Sequence, residues 1–130
     1  MTFEVLVIDD EEGVRDAFTL ALAFEPDYRA RTAESGEAGL SMAREQRPDL
    51  IFLDLNMPKM SGVEVMRTLL AKDPTLRIYV VTAFHREFME ELREARESGL
   101  AFDLARKPLG AEQIRTVVHG VLGRGALDPS

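Results

Sequence analysis

A chain of 130 residues, 45% hydrophobic and 30% charged, has the length and composition of one globular domain able to bury a core without staples. It contains no cysteine, which excludes disulfides, thiolate chemistry and cysteine-built zinc sites. A net charge of −7 argues against sequence-independent binding of nucleic acid by the domain, and the longest apolar run, Leu20 to Phe24, falls far short of the roughly 18 residues a membrane-spanning helix needs.

The first element is a continuous apolar run, Val5 to Ile8, expected to be a buried parallel strand. It ends on Asp9, Asp10 and Glu11, and the first cation is Arg15. Val14, Phe18, Ala21 and Leu22 then fall at helical spacing. Tyr28 to Ala33 alternates with Arg29 and Arg31, as suits a strand near a sheet edge. Residues 35 to 46, with Leu40, Met42 and Ala43, make the weakest helical pattern. Leu50 to Leu53 is a second continuous strand, and it runs into Asp54. A helix follows on Val63, Met66, Leu69 and Leu70. Ile78 to Val81 is a third such strand, followed by Thr82 and Ala83. Phe88, Leu92 and Ala95 stripe a highly charged helix, and a weaker strand is expected near Leu100 to Leu104, ahead of Lys107 and Pro108. Ile114, Val117, Val118, Val121 and Leu122 form the clearest helical stripe. Pro26, Gly36, Pro48, Pro58, Gly62, Pro74 and Gly99 punctuate the pattern. The domain is expected over residues 1–122, with 123–130 a flexible tail or a truncated linker.

Strand and helix thus alternate five times, which implies an α/β doubly wound parallel sheet with helices on both faces. A flavodoxin-like order 2-1-3-4-5 would bring the first, third, fourth and fifth strand ends together. Ligands in such sheets bind at the carboxyl ends of the strands. The polar residues there are Asp9, Asp10 and Glu11, then Asp54, Thr82 and Lys107. Singly, each has an ordinary reading: an acid at a strand–helix junction often caps the helix, Thr often caps a turn, and Lys is often a solvated base. Together they are harder to dismiss. Carboxylates about 4 Å apart repel by several kcal/mol at an effective dielectric near 20. Mg²⁺, a hard cation served by oxygen ligands, would offset that, as would an ammonium. Only three of the chain's bases are lysines, and Lys107 is one of them. An Asp carboxylate can attack phosphorus to form an acyl phosphate, and Mg²⁺ with Lys107 would neutralise the transferred group. His85 and His119 stand alone, and His119 is expected at the surface or a helix end.

These residues resemble the receiver domain of bacterial two-component response regulators, of the chemotaxis-receiver type, over about residues 3 to 122. Val5 to Glu11, Asp54-Leu55-Asn56-Met57-Pro58 with Gly62, Val81-Thr82-Ala83 and Lys107-Pro108 carry the likeness in order. The resemblance implies that Asp54 accepts a phosphoryl group from a phosphohistidine of a sensor histidine kinase or a phosphotransfer protein. It implies that Asp10 ligates Mg²⁺, that Asp9 holds the metal's water shell, and that Asn56 gives its backbone carbonyl. Asp54 completes the metal set. Thr82 and Lys107 would bond the phosphoryl group after transfer, and the Lys107–Pro108 peptide would be cis. The chain would then be a signalling switch rather than a conventional enzyme, cytoplasmic, with a downstream protein target met by the fourth helix, fifth strand and fifth helix. Homodimerisation is compatible with this; binding of nucleic acid or membrane by the domain is not expected.

Two features depart from the family pattern. Leu104 stands where an aromatic residue is usual, with Phe102 two positions earlier, and the stretch from Thr82 to Lys107 is a few residues longer. Two rival readings are a receiver-like binding module that acts without phosphorylation and a small aspartyl phosphatase of the haloacid dehalogenase type. The phosphatase would want Asp at position 56, where this chain has Asn.

Overall fold

The structure, a computed structural model, describes residues 2–83 and 86–123. Five strands and five helices alternate: β1 Phe3–Ile8, α1 Glu12–Leu22, β2 Tyr28–Ala33, α2 Gly36–Glu45, β3 Leu50–Asp54, α3 Gly62–Lys72, β4 Ile78–Thr82, α4 Arg86–Glu97, β5 Asp103–Arg106 and α5 Ala111–Val118. A π turn, His119–Gly123, extends α5. Every strand pairing is parallel, and the order is β2-β1-β3-β4-β5.

Successive side chains of a strand point to opposite faces, so each apolar run supplies two cores. Leu6, Ile8, Ile51, Leu53 and Val80 face α2, α3 and α4, meeting Val65, Met66, Leu69, Leu92 and Ala95. Val5, Val7, Leu50, Phe52 and Val81 face α1 and α5, meeting Phe18, Leu22, Ile114, Val118 and Leu122. Burying each such side chain contributes about 1.5–3 kcal/mol. The continuous runs of β1, β3 and β4 follow from this double burial. Both sheet edges are more polar, and Arg31 in β2 pairs with Glu4 of β1 at 3.3 Å.

Local signals set the helix ends. Ser35 caps α2 by accepting from the Ala38 N–H, and Ser61 with Glu64 forms a reciprocal capping box on α3. Helix α4 closes in a Schellman turn, in which Leu100 N–H bonds the Ala95 carbonyl and Gly99 N–H bonds the Arg96 carbonyl. Gly99 takes the left-handed conformation there, with φ of 95°. Leu100 therefore belongs to the turn, and β5 begins at Asp103, inside the expected Leu100 to Leu104 run, and continues to Arg106. Gly123, the first residue of the expected tail, ends the π turn and is buried, and residues 124–130 lie outside the described residues.

Candidate functional site

Because the strands are parallel, their carboxyl ends share one edge of the sheet. The order reverses at β1: α1 leaves toward one face and α3, after β3, toward the other. A crevice opens between such diverging connections. Its walls are the residues at or just past the ends of β1, β3, β4 and β5.

Asp9 follows β1 and is 2% exposed; Asp54 ends β3 and is 4% exposed. The Lys107 ammonium sits between them, with Nζ 3.0 Å from Asp9 Oδ2 and 3.2 Å from Asp54 Oδ1. It also reaches Glu11 Oε1 at 3.1 Å. The Lys107–Pro108 peptide is cis. Lys107 N–H donates to the Thr82 carbonyl at 2.8 Å, which ties the loop after β5 to the end of β4. The second Asp9 oxygen accepts the Glu11 N–H at 2.9 Å, and Arg15 Nη1 donates to the Asp9 carbonyl at 2.9 Å. Gly62 brings the start of α3 against the end of β3, donating its N–H to the Leu55 carbonyl at 3.0 Å. A Cβ on Gly62 would overlap the Asp54 carbonyl.

The electrostatics follow from this crowding. Burial, then the neighbouring Asp9 charge, raises the Asp54 carboxyl to about 6 against the opposing pull of Lys107. Burial also raises Asp9, although the Glu11 N–H and Lys107 pull it down. Burial disfavours the Lys107 charge, but bonding to Asp9 and the fields of Asp54 and Asp9 overcome it and raise its pKa. Lys107 is thus a fixed cation, and Asp54 is a carboxylate held at the margin of ionisation.

Asp9, Asp10 and Asp54 each present a carboxylate oxygen within 4.8 Å of the other two. The set fits Mg²⁺: all the donors are hard oxygens, and Asp10 is exposed, leaving room for the waters that this ion retains. The Asp9 charge, after burial, contributes to the raised Asp54 pKa, so a cation bound between the two carboxylates would lower it.

The remaining expected residues fall in two groups. Thr82 is buried at the end of β4, one residue past Val81, which pairs with Asp54. Asn56 is exposed two residues beyond β3, and its backbone N–H bonds Asp54. Leu104 lies within β5, paired with Val80. Phe102 precedes the strand, beneath the Arg96 guanidinium at 4.4 Å from the ring centre. Leu104, not Phe102, therefore holds the position inside the strand, three residues before Lys107. On α4, Arg93 bridges Glu90 at 2.6 Å and Glu97 at 3.3 Å, as the charge pattern suggests. Arg96 instead donates to the Phe102 carbonyl.

His119 lies away from the site, between Tyr28 Oη at 3.1 Å and Glu25 Oε1 at 2.6 Å. His85 lies outside the described residues. Sequence reasoning missed the part played by Glu11. It occupies the N-cap position of α1 without capping through its side chain, and pairs with Lys107 instead. The signal available was a third acid in an unbroken run.

The chain is similar to known proteins over most of its length. Residues 5–119 match the family model for the response regulator receiver domain. The transcriptional regulatory protein AfsQ1 of Streptomyces coelicolor is 38% identical over 93% of this chain and 52% of its own length. Sporulation initiation phosphotransferase F of Bacillus subtilis is 29% identical over 94% of this chain and 95% of its own. Among solved structures, the chemotaxis protein CheY4 of Vibrio cholerae superposes with a TM-score of 0.80 at 26% identity, covering 94% of this chain and all of that one. The chain spans about half the length of AfsQ1 and of the mycobacterial regulators TcrX and MprA. A profile that runs through all the strand ends of the crevice leaves one assignment: the chain belongs to the family of response regulator receiver domains of two-component systems.

Proposed function

We propose that Asp54 is the phosphoryl acceptor of this receiver domain and that Asp9, Asp10 and Asn56 serve the magnesium ion the reaction needs. The donor is a phosphohistidine on a sensor kinase or phosphotransfer protein. An Asp54 oxygen attacks phosphorus, the P–N bond breaks, and its electron pair leaves with the imidazole, which is protonated. Asp10 and Asp54 carboxylates and the Asn56 carbonyl would hold Mg²⁺, and Asp9 would bind its water shell. Bound there, Mg²⁺ neutralises charge on the phosphoryl oxygens.

The chain's own groups do the rest. Lys107, fixed as a cation by three carboxylates, is placed to follow the charge from Asp54 to the incoming phosphoryl oxygens. Thr82 would donate its hydroxyl to one of them. Both lie on the β4–β5 side of the crevice, so new bonds there favour one arrangement of the loops leading to α4 and α5. The shift extends only as far as the difference in bond energy between the two states allows. A downstream protein target would read it on the α4–β5–α5 face.

The single observation that carries this reading is the Lys107 ammonium shared between two buried carboxylates at one strand edge. Incubation with acetyl phosphate and Mg²⁺, followed by intact-mass spectrometry, is expected to add one phosphoryl group. The gain should vanish with EDTA and in the Asp54→Asn variant. A folded native chain that gains no mass while a control receiver does would refute the assignment.

A further inference from the structure

The opposite end of the sheet carries a second concave site. Between the C-terminal halves of α2 and α3 lies a cleft of about 220 Å³. It is lined by residues just ahead of β3 and β4, and so lies at the amino ends of those strands, remote from the acidic crevice. Its floor is apolar: Leu69 and Leu76 are 7% exposed, and Leu40 is half-buried beside them. Three cations, Arg44, Arg47 and Lys72, border it, against one acid, Asp73. In a chain of net charge −7 this is a local reversal of sign.

Two of these cations have another role. Arg44 and Lys72 stand in the last turns of α2 and α3, where positive charge complements the helix dipole. That role does not require both to border one apolar hollow. Arg47 lies beyond α2 and is held in place from the other side, with Nε bonded to Asp73 at 2.6 Å and Nη2 to Thr75 at 3.1 Å. Its Nη1 group has no partner among the described residues. A guanidinium pinned by two of its five donors presents the others in a fixed direction.

We propose that this cleft binds a small monocarboxylate with a compact apolar body. The volume sets the scale: an apolar cavity of about 150 Å³ takes up benzene, so this one has room for a ring and a short arm. The rim sets the charge. A carboxylate at the mouth meets Arg44, Lys72 and the outer edge of Arg47, while the body covers Leu40, Leu69 and Leu76.

The test is an amide-resolved NMR titration of the full chain with 4-phenylbutyrate, run beside 4-phenylbutanol and 4-phenylbutylamine. The carboxylate is expected to give saturable shifts confined to residues 40–48 and 68–76. The alcohol should bind about tenfold more weakly, the loss of a charge-assisted contact, and the amine should give no saturable shift. Arg44→Glu with Lys72→Glu should lower carboxylate affinity by at least about tenfold. Arg44→Lys with Lys72→Arg, which keeps the charge, should retain it. Ala43→Phe, which fills the hollow from α2, should abolish it with the spectrum still folded. Non-saturating shifts, equal affinity for all three head groups, or binding that survives both the charge reversal and the filled cleft would overturn the proposal.

Discussion

At the scale of single residues, Asp54 bears a cost that the fold tolerates. Its folded pKa of about 6 lies above the ordinary carboxylate value of 3.8. A raised carboxylate pKa means that the folded state holds the proton more tightly than the unfolded state. Stability is therefore greatest at low pH on this account, falls as pH rises from about 4 to about 6, and stays reduced above. Asp54→Asn, measured by urea unfolding in EDTA, should stabilise the chain at pH 8 by about 1–2 kcal/mol, a figure discounted for screening. The gain should shrink toward pH 4. A gain constant with pH would contradict the electrostatic cause. Lys59 carries a different cost, with φ of 69° in the loop after β3. A left-handed non-glycine residue is disfavoured by about 1–2 kcal/mol, offset in part by the entropy of an unfolded glycine. Lys59→Gly should raise the urea midpoint by the equivalent of about 0.5–1 kcal/mol, and an unchanged or lower midpoint would count against that strain.

At the scale of elements, most of the pattern is legible in the amino-acid sequence. The runs Val5 to Ile8, Leu50 to Leu53 and Ile78 to Val81 are strands because double-sided burial writes itself as unbroken apolar sequence. The stripes at Val63, Met66, Leu69 and Leu70 and at Ile114 and Val118 are buried as their spacing implies. Strand β5 starts three residues later than its apolar run for a physical reason. Leu100 is apolar because it packs on the core from the turn that closes α4, a role that composition does not distinguish from a strand residue. The π turn after α5 was not visible either, since Val121 and Leu122 continue an α-helical stripe. At the site, Asp9, Asp54 and Lys107 were legible through their places at strand ends. The Glu11 contact was not, because an exposed acid at a helix start has an equally good capping role. Gly62 gives this scale its sharpest prediction. Gly62→Ala would force α3 away from β3 and should cost about 1–3 kcal/mol by overpacking. It should also slow phosphorylation of Asp54 by acetyl phosphate. An alanine accepted with no change in urea midpoint would show that α3 can retreat freely.

At the scale of the whole molecule, the same sheet supplies the two cores and the acidic crevice. Two apolar cores grip the strands from both faces, and that rigidity holds carboxylate oxygens of Asp9, Asp10 and Asp54 within 4.8 Å of one another. Mg²⁺ that binds only the folded chain should therefore stabilise it, by about 2.7 kcal/mol at about a hundred times its dissociation constant. Thermal unfolding at pH 8 should show the midpoint rising with Mg²⁺ and the rise largely lost in Asp10→Asn. An equal rise in that variant would move the ion elsewhere. The central claim, that the phosphoryl group rests on Asp54, has a chemical readout. Borodeuteride reduces an aspartyl phosphate to homoserine, and peptide mass spectrometry then locates it. After acetyl phosphate and Mg²⁺, homoserine is expected at position 54 alone. Its appearance at position 9 or 10, or its absence from a chain that has gained the phosphoryl mass, would contradict the account.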